Sequence, residues 1–357
     1  MIDFRYHVVS IVAVFLALAI GIVLGSTELQ GPTFNILNHT TAKLENELGQ
    51  VTGERNTAQQ QATLGEAYAQ AVEPAVLRDL LAGQRLLVVA EPGAQPSVAS
   101  GIAAAAIDAG ASVTGQINLQ QKFFDTSATT RDSLNQTTVA VAQSAGIALT
   151  STESFQQQAA QVIAGEILVK SPRSASGQQA SPSPSPSPSS SQAGTDQGTN
   201  AQTMLSAYAS SGFLNTTGQP ATPATLVVVV TPQNTPSDGS ADQLDQVLVP
   251  LVAELAANSA AVVVAGSSAG SGAGSPIAVL RSDNVANQVS TVDDADFVSG
   301  QTVAIQALAA LLEGGKAASY GYAGNGATAV APSPAPTPTA SASPAATDTS
   351  SGKKAKK

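Results

Sequence analysis

The side chains that most often carry chemistry are few in this sequence and lie far apart. Cysteine is absent, which excludes disulfides, thiolate metal sites, cysteine nucleophiles and iron–sulfur clusters. The two histidines, His7 and His39, precede the part of the chain with an α/β pattern, so we expect no Ser-His-Asp triad there. We therefore predict no catalytic residue, no evident cofactor and no enzymatic activity.

Four carboxylates occupy positions where a site could form. Glu91 follows the first predicted strand, where parallel sheets often place catalytic residues, but a lone carboxylate is weak support for a site. Asp293, Asp294 and Asp296 precede the last predicted helix. Such a group can bind a hard cation, but aspartate also caps helices and complements the helix dipole. We favour the capping interpretation.

A glycine-rich loop, GSSAGSGAGS at 266–275, follows another predicted strand and contains Gly270, Gly272 and Gly274. A phosphate-binding loop needs a helix N-terminus beyond it, or a lysine followed by Ser or Thr. We expect neither here, because Pro276 and a short aliphatic run come next. The loop is therefore predicted to be a flexible connection.

Charge argues against a nucleic-acid partner. The net charge is −10, whereas phosphate binding needs a positive surface. The basic end Lys353–Lys357 closes a Pro/Ala/Ser/Thr-rich tail and is interpreted as a solubilising terminus.

The N-terminus has the length and composition of a membrane anchor. Residues 8–27 carry no charge and would span about 30 Å as a helix, the thickness of a bilayer core. The apolar run is long for a cleaved signal peptide, although Gly25-Ser26-Thr27 leaves cleavage open. Arg5 precedes the run and the next basic residue is Lys43, so the positive-inside rule places residues 1–7 in the cytoplasm and the bulk outside the cell membrane.

Small residues recur every four positions within this span, at Ala13, Ala17, Gly21 and Gly25, and so share one helix face. Such a stripe lets two membrane helices approach closely. Alanine and glycine are also common throughout this chain, which is the competing explanation. We call these four residues the small-residue stripe.

A predicted coiled-coil stalk occupies 34–71, after a helix break expected at Gly31-Pro32. The stalk could pair with a second copy or fold back onto its own domain. We favour a homodimer through stalk and membrane helix. The heptad seam reads Leu37, Thr41, Leu44, Leu48, Val51, Arg55, Ala58 and Ala62, of which Leu37, Leu44, Leu48 and Val51 are large and apolar.

An α/β pattern fills 85–170 and 201–328. Continuous aliphatic strands alternating with helices predict a Rossmann-like, three-layer domain with a parallel sheet of about four strands. A Ser/Pro-rich insertion at 171–200 and a tail at 329–357 are predicted to be disordered. Strands are expected within 86–94, 111–119, 225–233 and 260–268, and helices near 96–109, 240–257 and 300–313.

Four sequence features together resemble one known family. They are DFRYH at Asp3–His7, the anchor ending in G-x-x-x-G, Pro92-Gly93-Ala94 after the first strand, and STVD at Ser290–Asp293. These features are similar to those of the actinobacterial copper transporter family typified by mycobacterial copper transport protein B. The resemblance covers most of the chain outside the Ser/Pro-rich insertion and the tail.

The resemblance implies a membrane protein that keeps intracellular copper low, with copper implied by the family alone. A related branch implies a scaffold that partners another membrane protein in controlling cell-wall hydrolysis and division. The family's metal ligands cannot be placed on residues of this sequence. A single span cannot enclose a conducting path, so copper transport would require several copies or partners.

Overall fold

The computed structural model describes residues 4–149, 154–170, 190–233, 240–270, 274–321 and 327–332. Within these ranges, side chains are described except at 4, 26–38, 190–197 and 240–245. The chain divides into two compact units, Met1–Tyr68 and Ala69–Lys357.

Helix α1, Phe4–Leu77, contains the membrane-spanning candidate. Its segment Arg5–Gly25 has a mean hydropathy of 2.9 over 21 residues, and none of these residues is buried within the described protein. Among the described helices it alone is long and apolar enough to cross a membrane. The predicted N-terminal apolar helix is therefore confirmed.

The helix break predicted at Gly31-Pro32 is wrong, because α1 passes through both residues without interruption. Proline fixes φ near −65°, which is a helical value, so its main local effects are one missing N–H and crowding of the preceding turn. The hydrogen bonds of a long helix on both sides outweigh this local cost.

The second unit is built around a seven-stranded sheet with the order β3-β2-β1-β4-β5-β6-β7. All neighbouring strands are parallel except β3, which runs antiparallel to β2. The prediction of a parallel sheet is thus confirmed for six of the seven strands. The predicted number of about four strands was too low. The strands are β1 Arg85–Ala90, β2 Ser112–Leu119, β3 Leu214–Gly218, β4 Leu226–Val230, β5 Ala261–Ala265, β6 Ser290–Val292 and β7 Ser319–Tyr320.

Both faces of the central strands are buried, which explains their unbroken aliphatic sequences. Leu87 and Val229 belong to the core on one face, whereas Val88 and Val228 belong to the core on the other. Each strand therefore contributes alternate side chains to two separate cores, as the two-residue period of a strand requires.

Helices cover both faces, giving three layers. The C-terminal end of α1, with α2 and α9, packs on one face, and the remaining helices pack on the other. A Ser154 side chain caps α5 by accepting the Gln157 N–H, and Gly146 ends α4 with a left-handed φ of 70°. The helices after α1 are α2 Pro96–Asp108, α3 Gln121–Phe124, α4 Ala128–Ala145, α5 Phe155–Ile167, α6 Ser190–Ser210, α7 Ser240–Asn258, α8 Pro276–Ser282 and α9 Val298–Leu312.

The predicted disordered segments have a mixed outcome. Residues 190–200 of the insertion are helical because they form the first half of α6, so that part of the prediction is wrong. In the tail, Ala329 forms a bridge with Tyr320 beside β7. Residues 171–189 and 333–357 lie outside the described residues, and disorder there stays a prediction.

Candidate functional site at the carboxyl edge of the sheet

The residues that directly follow the parallel strands form a row along one edge of the sheet. Glu91 follows β1, Thr231 follows β4, and Gly266 follows β5. Each donates its backbone N–H to the last residue of the next strand over 2.9 Å. Strand order reverses at β1, with β2 on one side and β4 on the other, and ligands of open α/β sheets bind beside such a reversal.

A cavity of about 330 Å³ opens at this reversal. It lies at the carboxyl ends of β1 and β2, against the loop that leads into α2. Its side chains are one carboxyl and several carboxamides, with backbone and small apolar groups between them. The lining residues are Ala90, Glu91, Pro92, Gly93, Ala94, Gln95, Pro96, Ala99, Gln116, Asn118, Leu119, Gln120 and Gln121.

Among the described residues that line this cavity, Glu91 is the titratable one. The side chain is only 4% exposed, and its Oε1 has no hydrogen-bond partner among the described residues. Burial raises the pKa of the carboxyl from 4.5 to about 8, so the group is mostly protonated at neutral pH. Glu91, which the sequence offers only as a weakly supported candidate, is therefore among the lining residues, and its carboxyl is buried and mostly protonated.

Strand β2 supplies the carboxamides because polar and apolar residues alternate along it. Gln116 and Asn118 share one face, while Ile117 and Leu119 are buried on the other. The Gln116 amide donates to Asn118 Oδ1 over 2.5 Å, and the Gln120 amide donates to the Asn118 carbonyl over 3.1 Å. These residues were not predicted from the sequence, although polar and apolar residues alternate in SVTGQINL.

The three aspartates do not cap α9. Its N-cap residue is Phe297, whose side chain forms no cap hydrogen bond. Asp296 accepts the Ser268 N–H over 3.2 Å and so fixes the loop after β5. The capping interpretation is wrong because the chain makes one further turn, through Asp294 to Phe297, before the helix starts.

Asp293 forms a buried ion pair with Arg281, a residue not predicted from the sequence. Arg281 Nη1 lies 2.8 Å from Asp293 Oδ2, and the two side chains are 5% and 0% exposed. The guanidinium also donates to Thr291 Oγ1 over 2.8 Å and to the Tyr320 carbonyl over 2.9 Å. Arg281 thereby links α8 to both β6 and β7. The signal for it was a single basic residue ending the aliphatic run IAVLR.

Asp294 is 3% exposed, and in the part of the chain that the structure describes its Oδ1 has no hydrogen-bond partner. Burial, followed by the neighbouring charge of Asp293, raises the pKa of Asp294 to about 6. The backbone carbonyl of Asp294 also lies against Gly300 in α9, where a Cβ atom would approach it to 2.1 Å. Close packing on α9 therefore holds this carboxyl in its buried position.

Replacing Asp294 with asparagine is expected to stabilise the protein above pH about 6 and to change little near pH 4. The folded state binds the Asp294 proton more tightly than the unfolded state, so its stabilising effect is lost as pH rises through the raised pKa. Thermal melting at both pH values checks this, with a rise of ~2–4 °C at the higher pH. Exposed Asp132→Asn is the control, and an equal rise at both pH values would contradict the interpretation.

The glycine-rich loop differs from its prediction in one respect. A helix does begin directly after it: α8 starts at Pro276, and Ser275 Oγ accepts the Ala278 N–H over 3.2 Å. At Gly270 an added Cβ would lie 2.6 Å from the Pro232 carbonyl, so this glycine permits a close backbone approach. Gly274 has a φ of +77°, and Gly272 lies outside the described residues.

The described residues contain no group of three or more His, Cys, Asp or Glu side chains able to hold a metal ion. His7 and His39 are both exposed on α1.

The small-residue stripe and the described seam residues of the predicted stalk are exposed along α1. An added Cβ at Gly21 or Gly25 would meet nothing within 4 Å. Leu44, Leu48 and Val51 are 59%, 68% and 61% exposed, and the Leu37 side chain is not described. No described residue outside α1 covers either surface, and their pairing stays a prediction.

Known proteins resemble this chain over both the anchor helix and the α/β unit. The family model described as "Copper transport outer membrane protein, MctB" matches residues 1–332. The chain belongs to the MctB family. Its MctB-family relatives include "Copper transporter MctB" of Mycobacterium tuberculosis, 28% identical over 331 residues, which are 92% of this chain and 98% of the relative. The protein of that name from Mycobacterium leprae is 27% identical over 335 residues, with the same coverage.

Proposed function

We propose that this protein acts in copper homeostasis as a membrane-anchored, non-enzymatic protein of the cell envelope that contributes to copper efflux. The observation that carries the proposal is the MctB family match, which extends from the anchor through the α/β unit. The exposed apolar segment Arg5–Gly25 supports a membrane location. In this arrangement the N-terminus is cytoplasmic and the α/β unit lies outside the cell membrane, in accordance with the positive-inside rule.

Copper is the cargo in this proposal, and the route across the bilayer needs more than one chain. One helix satisfies its own backbone hydrogen bonds but encloses no pathway. Several copies, or a second membrane protein, would have to supply the conducting path. The role of this chain is then to assemble that path or to receive copper outside the membrane.

Deletion of the gene tests the proposal directly. Intracellular copper, measured by mass spectrometry, is expected to rise, and growth is expected to become more sensitive to added copper. Re-expression of the full chain should restore both values. Unchanged copper content in the deletion strain would contradict the copper proposal.

A second candidate function is a scaffold that partners another membrane protein in controlling cell-wall hydrolysis and division. The long, uninterrupted helix α1 favours it, because Leu44, Leu48 and Val51 leave apolar surface exposed beyond the anchor. Heptad spacing suits a parallel coiled coil with a second copy. For this function, deletion should alter cell shape or septation while copper content stays unchanged.

Pairing of the stalk can be tested by cysteine cross-linking, because the chain contains no cysteine of its own that could form another disulfide. In the full chain, Leu48→Cys is expected to form an interchain disulfide under mild oxidation, because paired a and d positions bring Cβ atoms within bonding range. Asn46→Cys is the matched control, since residue 46 lies on the opposite face of the helix. Cross-linking is read as a dimer band on a non-reducing gel.

Equal cross-linking of the two variants, or none for Leu48→Cys, would contradict pairing through this seam.

A further inference from the structure

Two short segments meet at the carboxyl edge of the sheet. We call residues 266–270, which follow β5, the β5 loop, and residues 293–297, which follow β6, the β6 turn. The Ala295 N–H donates to the Gly266 carbonyl over 2.9 Å. Ser268 makes two further bonds to one carboxylate of the turn, from its N–H over 3.2 Å and from its hydroxyl over 3.3 Å. These hydrogen bonds form a joint between the β5 loop and the β6 turn.

Two polar atoms are enclosed at this joint without a hydrogen-bond partner among the described residues. They are Ser267 Oγ in the β5 loop and Asp294 Oδ1 in the β6 turn, and their residues are 2% and 3% exposed. Each residue is next in sequence to one end of the hydrogen bond between Ala295 and Gly266. An enclosed polar atom without a partner destabilises the fold, and the cost is larger when the group is charged. The stability of the closed joint therefore depends on the charge of Asp294.

The charged groups that act on Asp294 come from the β6 turn and from α8. Burial is the main cause that raises the pKa of Asp294 to about 6, the charges of Asp293 and Asp296 raise it further, and Arg281 lowers it. Arg281 is already paired with Asp293, 2.8 Å away. The β5 loop and α9, which lie against the turn, contain no charged residue. An ionised Asp294 would therefore find no further cation in these neighbouring segments.

The β6 turn is fixed on its other sides. Asp293 is held by its ion pair with Arg281, and the Asp294 carbonyl packs against Gly300 of α9. Loss of the hydrogen bonds to the β5 loop would let water reach the carboxylate without disturbing either contact. We propose that this joint is a pH-sensitive device, which stays closed while Asp294 is protonated and opens to water when the carboxyl ionises. This device is independent of the copper proposal.

Hydrogen exchange of the full chain in detergent tests the device, read by mass spectrometry on peptides that cover the two segments. The joint should open about tenfold more often at about pH 7.5 than at about pH 5, because the pKa of Asp294 is about 6 when enclosed and 3.8 when exposed. After correction for the pH dependence of intrinsic exchange, protection of the Ser268 and Ala295 amides should fall by that factor. Unchanged protection of both amides in the wild type would overturn the proposal.

Asp294→Asn is expected to remove this pH dependence, since a carboxamide does not ionise. Protection of the two amides should then be equal at both pH values after the same correction. Asp132→Asn changes an exposed carboxyl and is the matched control, which should keep the fall of about tenfold seen in the wild type. If the fall persists in Asp294→Asn, another group is responsible and the proposal is wrong.

Strand β4 distinguishes local opening from global unfolding. Its residues are fully buried at the centre of the sheet, so its amides are expected to exchange only when the whole unit unfolds. At both pH values the amides of β4 should therefore be better protected than those of Ser268 and Ala295. Equal protection of β4 and the joint would show that both exchange through one global event, which would exclude a local device.

Discussion

Replacing Arg281 with methionine is expected to lower the free energy of unfolding by about 3–5 kcal/mol, because the change leaves an uncompensated buried charge. Asp293 is fully buried and its ion-pair partner is Arg281, 2.8 Å away. The change also removes hydrogen bonds to Thr291 and to the Tyr320 carbonyl, so β6 and β7 lose their connection to α8.

Urea denaturation followed by circular dichroism measures the total loss. Amide hydrogen exchange of β5 and β6 shows whether the sheet opens locally at this edge. Exposed Arg78→Met is the matched control and should change stability by less than about 0.5 kcal/mol.

A double variant, Arg281→Met with Asp293→Asn, separates the ion pair from general packing. Removing both charges should cost less than the sum of the two single changes, since the second change eliminates the unpaired charge. Strict additivity would contradict the view that the pair acts as a unit. Arg281→Lys is expected to be destabilising as well, because an ammonium group cannot reproduce the planar contacts of the guanidinium.

Replacing Glu91 with glutamine is expected to make the protein more stable at high pH, by about 3–5 kcal/mol near pH 9. The pKa of Glu91 is about 8 in the folded protein, against an ordinary value of 4.5. A carboxyl whose folded pKa is raised stabilises the fold fully below the unfolded pKa, and this contribution disappears as pH rises through the folded pKa. Wild-type stability should therefore fall between pH about 4.5 and about 8 through this group.

The variant removes that dependence because a carboxamide does not ionise. Near pH 5 the two proteins should differ little in stability, so the difference between their denaturation midpoints should grow steadily with pH. Glu313→Gln provides the control for an exposed glutamate. A difference that stays constant from low to high pH would show that Glu91 is not buried as an uncharged group.

The sequence predicts the centre of the fold better than its edges. β1, β4 and β5 are buried on both faces, so each is a continuous aliphatic run that is recognisable without a partner. By contrast, β3 is mostly polar and exposed, and β7 has only two residues. Their pairing is decided by the neighbouring strand, and strand propensity alone does not reveal it.

In the candidate site, too, some residues can be recognised from local sequence and others only from their neighbours in the fold. Position after β1 made Glu91 a weakly supported candidate in the sequence, because the carboxyl ends of parallel strands share one edge. The contact of Arg281 with the carbonyl of Tyr320 joins residues from two separate elements, so no local pattern reports it. Asn118 becomes notable only when the loop after β1 closes one side of the cavity around it.

Because α1 is uninterrupted, the number of residues between two positions fixes the angle between their side chains around the helix axis. This holds between the membrane span and the segment beyond it. Gly21 and Leu48 belong to one helix, and the step of 27 residues between them is about seven and a half turns at 3.6 residues per turn. On a straight helix the small-residue stripe and the apolar seam therefore point in opposite directions. A dimer of straight helices that closes along Leu48 therefore leaves Gly21 on its outer face, so the homodimer predicted through both surfaces requires α1 to twist between them.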